Sequence, residues 1–196
     1  MKAIFLFLFI LFFTIPSAFA AEAEAVLKGT AENSPIRGKV LFNEANGELK
    51  VTAEVSGATP GTHGFHIHEN GSCDEAGKAA GGHFNPDKVK HGLLSKEGFA
   101  GAHAGDLGNI EIGPDGKGKL ETSIGGLTLG DGKYGIAGKS VILHEKMDNF
   151  GQPTGNAGGR IACGVINKEE TKTEPKAEVK EEPKAEVTEA EKSKKD

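Results

Sequence analysis

Ile36-Arg37-Gly38-Lys39-Val40-Leu41-Phe42-Asn43 and Glu48-Leu49-Lys50-Val51-Thr52-Ala53-Glu54-Val55 are two short runs separated by a segment that contains Asn46-Gly47. In the second run apolar and polar residues alternate without a break, which is the period of a half-buried strand and not of a helix. Asn-Gly is the dipeptide that most readily takes the positive φ angles of a two-residue hairpin turn. Together the three pieces predict an antiparallel hairpin. Working outward, similar runs recur at Val26 to Thr30, Gly64 to His68, Ile110 to Ile112, Lys119 to Ile124, Val141 to His144 and Ile161 to Ile166, and Asp115-Gly116 is a second tight-turn signal. Helical periodicity is hard to find. About eight short strands joined by glycine-rich turns predict an all-β domain, an antiparallel sandwich or barrel.

The two ends of the chain read differently. Lys2 precedes an apolar run from Ala3 to Ile15, and Ala18-Phe19-Ala20 offers small residues where a signal peptidase reads. Residues 1–20 are therefore expected to be a secretory signal peptide, too short for the ~20 apolar residues that span a bilayer. At the other end, residues 168–196 carry 8 Lys against 10 Asp or Glu and two copies of Glu-Pro-Lys-Ala-Glu-Val. Such a composition buries too little apolar surface to offset its ordering entropy, so the segment is expected to be a disordered, solvated tail. Residues 21–167 remain as one domain of ordinary size. The chain's net charge is −5 and no basic patch stands out, which argues against a nucleic-acid partner. After removal of the leader no apolar segment is long enough to hold the protein in a membrane.

Two cysteines, Cys73 and Cys163, occur in a chain that reads as exported, and an even pair there is most simply one disulfide. Closing a loop of about 90 residues contributes ~4.6 kcal/mol in the chain-entropy model. A cysteine metal site is the rival reading, but the pair is far apart and no Cys-x-x-Cys exists. Between His68 and Gly105 the alternation lapses. A long irregular connection inside a compact domain is usually functional, and this one holds Cys73, His83, His91 and His103. His66 and His68 are two apart on a predicted strand, so both imidazoles project to one face while Ile67 can enter the core. Imidazole suits copper and zinc, and three imidazoles with the Asp106 carboxylate make a closed tetrahedral set for zinc. His144 ends the run Val141-Ile142-Leu143. Each histidine taken alone is as easily a solvated side chain; the number of them in one domain is what points to metal.

Gly64-Phe65-His66-Ile67-His68-Glu69, Gly82-His83-Phe84-Asn85-Pro86, Gly105-Asp106-Leu107-Gly108-Asn109, His144-Glu145-Lys146 and Gly155-Asn156-Ala157-Gly158-Gly159-Arg160-Ile161-Ala162-Cys163-Gly164 resemble, in order, the copper–zinc superoxide dismutase family. The resemblance runs from about Val26 to Ile166 and has the character of an exported, bacterial-type member. It implies an eight-stranded antiparallel Greek-key barrel with long functional loops. It also implies that His66, His68, His83 and His144 hold one copper, with His83 bridging to one zinc held by His91, His103 and Asp106. Asp148 falls where the family links a copper-bound to a zinc-bound histidine, a contact that fixes ring tautomer and orientation. Arg160 falls where the family docks its anion, and Cys163 matches one half of the family's disulfide. His63 has no metal role in the pattern and reads as a buried, hydrogen-bonded histidine.

The activity implied is conversion of superoxide to O₂ and hydrogen peroxide by alternate reduction and re-oxidation of copper, with zinc holding the bridging histidine. His83 and Arg160 are the residues expected to act on substrate. A non-catalytic copper or zinc buffer, a vestigial site and a copper-only enzyme each predict the loss of a ligand that is present here. The family also steers its substrate electrostatically. This chain departs from it there: the segment between His144 and Arg160 is short and lacks the expected charged cluster, leaving Lys146 or Lys133 as substitutes. The resemblance allows a homodimer as well as a monomer, and a location in the periplasm or outside the cell.

Overall fold

The computed structural model describes residues 21–168; the expected leader, and the tail apart from Lys168, lie outside the described residues. Eight strands follow one another as β1 (Ala21–Gly29), β2 (Arg37–Ala45), β3 (Glu48–Ser56), β4 (Gly61–His68), β5 (Asp106–Ile112), β6 (Gly118–Gly125), β7 (Ser140–His144) and β8 (Arg160–Lys168). They close into an antiparallel barrel in the order β1-β2-β3-β6-β5-β4-β7-β8. The run β3-β6-β5-β4 is a Greek key, in which the consecutive strands β4, β5 and β6 lie side by side and β3 packs against the last of them. Of the sandwich and barrel forms that strand counting left open, the chain takes the barrel. Lys168, expected in the tail, is the last residue of β8 and pairs with Ala23.

The opening hairpin forms as its composition demands. Ala45 pairs with Glu48, and Asn46 and Gly47 both take positive φ, 54° and 78°, which matches the right-handed twist of the strands they join. Alternation then sorts the side chains. Ala23, Ala25 and Leu27 of β1, Val40 and Phe42 of β2, and Leu49, Val51, Ala53 and Val55 of β3 fill the barrel. Each large apolar side chain buried this way contributes roughly 1.5–3 kcal/mol.

Two strands break the pattern, and they are the ones that carry the site. From His63 onward β4 is buried on both faces, as is all of β7, because loops cover the outer side. Phe65, Ile67, Val141 and Leu143 point into the core, while Ile142 packs outward against Ala80 and Cys163. Cys73 and Cys163 form a disulfide with Cα atoms 5.7 Å apart, pinning the β4–β5 loop to β8. That loop, expected to be irregular, contains a 3-10 turn at Lys78–Ala80 and a single helical turn, α1 (Leu94–Glu97). Among the described residues no helix is long and apolar enough to cross a membrane.

Candidate metal centre

Strand β4 presents His66 and His68 on its outer face, and register shifts beside His66 and between Leu143 and His144 re-aim the chain where the site is built. His144 at the end of β7 approaches from the neighbouring strand, with its Nε2 3.3 Å from His68 Nε2. His83 is delivered by a single bridge between its backbone and His68. The four imidazoles form a buried group whose donor atoms lie within 4.8 Å of one another.

His83 also belongs to a second group, with His91, His103 and Asp106, equally buried. His83 Nδ1 is 2.8 Å from Asp106 Oδ1 and 3.4 Å from His103 Nδ1; His91 Nδ1 is 2.9 Å from Asp106 Oδ2. Such spacings are near the ~3.3 Å edge of a tetrahedron built on bonds of ~2.0–2.1 Å. With Nδ1 engaged there, His83 has its Nε2 left for the first group.

Whether these residues suit a cation is decided by the atoms that lack partners. His66 donates Nε2–H to Asp148 Oδ2 at 2.8 Å, and His91 donates Nε2–H to Asp148 Oδ1 at 2.9 Å. That leaves Nδ1 as the inward nitrogen of each ring: the Nδ1 of His66 is buried without a hydrogen-bond partner, and the Nδ1 of His91 is buried against Asp106 Oδ2 at 2.9 Å. A buried lone pair facing other acceptors is costly unless a cation sits among them. Both groups therefore fit a metal ion, one imidazole-only and one imidazole–carboxylate.

Around the two groups, backbone carbonyls set the remaining rings and the cation. His68 Nδ1 donates to Gly81 O at 2.9 Å, and His144 Nδ1 faces Gly158 O at 3.4 Å. Arg160, paired with His144 across β7 and β8, sends its guanidinium to the carbonyls of Gly77, Lys78 and Gly81. His63 is buried, its Nδ1 2.8 Å from His144 O and its Nε2 2.9 Å from Thr59 O, so it braces the His144 backbone from below. The structure thus brings the residues of the expected metal centre together: six histidines and Asp106 in two groups that share His83, with Asp148 between them and Arg160 alongside.

The model for copper/zinc superoxide dismutase matches residues 36–166. The chain belongs to the copper/zinc superoxide dismutase family. Among its relatives are the extracellular copper–zinc superoxide dismutases of Caenorhabditis elegans, 41% identical over 69% of this chain, and of Drosophila melanogaster, also 41% over 69%. A third, a copper–zinc superoxide dismutase of Brassica juncea, is 40% identical over 67%. The matches span 62%, 78% and 89% of those relatives, so this chain covers under two thirds of the nematode protein. Among solved structures, one described as the clock protein EA4 superposes with a TM-score of 0.67 at 35% identity, over 79% of this chain and 99% of that one. Copper and zinc are the metals of the superoxide dismutase family, and the two donor groups suit them.

Electrostatics divide the groups. Burial pushes His68 down to about 2 and His144 down to about 3, and in both the charge on Arg160 adds to the effect. Burial also lowers His83, to about 4, against the Asp106 bond that would raise it. Burial works to lower His91 too, but its bonds to Asp106 and Asp148 outweigh that and raise it to about 9. Burial favours protonation of both carboxyls; hydrogen bonds from His103, His83 and His91 to Asp106, and from His66 and His91 to Asp148, overcome it and hold both well below the usual range. At neutral pH His68, His83 and His144 are therefore uncharged, while Asp106 and Asp148 are ionised and His91 holds a proton.

Three contributions were not read in the sequence. The carbonyls that cradle Arg160 have no residue signature. Asn109 lay within a quoted motif without a role, yet it accepts from Asp148 N at 2.8 Å and donates to Asp148 O at 2.9 Å. Gln152 brackets His91 in the same way. Backbone partners leave no spacing to find.

Proposed function

We propose that the chain dismutates superoxide at a site where His66, His68, His83 and His144 hold copper and His83, His91, His103 and Asp106 hold zinc. One observation carries the assignment: a single buried imidazole, His83, belongs to both four-donor groups. Copper, when bound, supplies a one-electron couple, and zinc a fixed, redox-inert charge. The chain's own residues do the rest. Asp148, Gly81 O and Gly158 O fix the orientation of His66, His68 and His144, so that each offers its other nitrogen inward. Arg160 stays charged at every working pH, and its guanidinium binds and orients the anion. His83 holds a proton at Nε2 and passes it to the departing peroxide, while its Nδ1 stays among Asp106 and His103. Two superoxide ions and two protons give one O₂ and one hydrogen peroxide.

The disulfide is that of an oxidising compartment, and two relatives are named extracellular, which supports an exported protein. Residues 1–20 act as the signal peptide, delivering the domain of residues 21–168 and the segment after it to the periplasm or the extracellular space.

Purified, metal-loaded protein is expected to accelerate superoxide decay in stopped-flow spectroscopy and to hold about one copper and one zinc per chain. His144→Ala abolishes the acceleration while circular dichroism stays that of the barrel. An inert wild type carrying both metals would establish a metal store instead of an enzyme.

A further inference from the structure

We infer that Gln152 is a positioning residue for the zinc group, acting through the backbone of His91. His91 lies on an irregular stretch of the β4–β5 loop, outside every strand and helix, and is 2% exposed. Its peptide groups cannot be satisfied by a ladder, and buried peptide groups left unpaired are destabilising. Gln152 takes both: His91 N donates to its Oε1 at 3.0 Å, and its Nε2 donates to His91 O at 2.9 Å. The side chain thus stands in for a neighbouring strand.

The same short loop holds the His91 ring. Asp148 accepts from its Nε2, and the Phe150 ring lies nearly parallel to it, 19° between planes at a centroid distance of 6.3 Å. Residues 148, 150 and 152 therefore grip one ligand at its ring edge, its ring face and its main chain. The loop closes on itself through Asn149 N to Gly155 O at 2.9 Å and Gly155 N to Gly151 O at 2.7 Å, so the grip has a rigid base. Asn109 holds the Asp148 backbone with an identical two-way amide bracket, which fixes the other end of the link. Without Gln152 the His91 backbone loses both partners, and the position of its ring rests on Asp148, the Phe150 face and the bond from Gly92 N to Asp106 Oδ2.

This rests on the zinc assignment proposed above. The test compares wild type, Gln152→Ala and Gln152→Glu. Zinc affinity is measured by competition with a chromophoric chelator, cobalt(II) absorption reports the geometry of the same site, and the melting temperature of metal-free protein reports the fold. Loss of the bracket is expected to weaken zinc binding roughly 10- to 100-fold in Gln152→Ala, as loss of an outer contact to a metal ligand typically does. Gln152→Glu keeps the acceptor, loses the donor, and falls between. The cobalt band intensity drops in both, and the metal-free melting temperature falls modestly in Gln152→Ala, whose His91 peptide groups lose their partners. A residue that merely anchored the loop would lower the melting temperature and leave zinc affinity of the folded protein untouched, and that result overturns the inference. If Gln152→Ala does not fold, unchanged affinity in Gln152→Glu is decisive against it. A wild type that binds no zinc overturns the metal assignment along with it.

Discussion

At the scale of single residues, the site depends on atoms with very little room. Gly155 has φ 75°, and a Cβ placed on it would lie 1.9 Å from Asp148 Oδ1 and 2.8 Å from His91 Nε2. Both conformation and space forbid a side chain there. Gly155→Ala adds roughly 1–2 kcal/mol of left-handed strain and also pushes the carboxylate out from between His66 and His91. The variant is expected to melt lower and to bind zinc at least tenfold more weakly by chelator competition; retained affinity would show that Asp148 does not orient its histidines. This residue illustrates what a sequence can and cannot convey. Gly155 stands in a motif that signals the family, yet nothing in the string says which neighbour makes it glycine. The histidines behave the same way. Any one of them is an unremarkable polar side chain, and only the family resemblance turned their spacing into two groups with a shared member. Gln152 stayed invisible because what it touches is a peptide bond.

At the scale of elements, the strands were legible because alternation is enforced by burial of one face. The eight runs read from pattern match eight strands, with β5 beginning at Asp106, earlier than the run at Ile110 suggests, since Asp106, Leu107 and Gly108 are all buried and show no alternation. The two helical turns were missed for a physical reason: three and four residues are too few to show a period. The most consequential element is irregular. In the segment after Cys73, Glu75, Ala76 and Gly77 have φ of 54°, 55° and 82°, a left-handed turn that aims the carbonyls of Gly77 and Lys78 at Arg160. Non-glycine residues hold such a conformation only where their surroundings impose it, and here the disulfide ties the start of the turn to β8, three residues beyond Arg160. Replacing both cysteines, Cys73→Ser with Cys163→Ser, is expected to cost roughly 2–5 kcal/mol of stability. It should also lower kcat/KM for superoxide at full copper occupancy, because the guanidinium proposed to bind the anion loses its cradle. An unchanged rate per bound copper in the double variant would mean that the turn holds its shape without the bond.

At the scale of the whole molecule, the proposed reaction asks a chain of net charge −5 to attract an anion. Bulk charge repels, so attraction has to come from cations placed beside the imidazole-only group. Of the two lysines considered from sequence, Lys133 is out of contention: its ammonium is bound to Asp87, which also accepts from Tyr134. Lys146 is placed differently. The carbons of its stem lie 3.2 Å from where a Cβ on Gly158 would be, and the Gly158 carbonyl faces His144. Lys78 joins it, exposed in the 3-10 turn whose first carbonyl accepts from Arg160. Among the described residues neither lysine forms an ion pair, so both charges are available to a substrate approaching Arg160. A local field of this kind reaches about 30 Å at 0.01 M salt and about 8 Å at 0.15 M. The rate constant for superoxide is therefore expected to fall as salt is raised across that range, the sign of attraction. Lys146→Gln should lower the rate at low salt and flatten its dependence, whereas Lys133→Gln should leave both unchanged. Stopped-flow decay at a series of ionic strengths distinguishes the cases. A rate that climbs with salt would show that the overall negative charge dominates the approach, and an unaltered slope in Lys146→Gln would leave Arg160 and Lys78 to guide the anion.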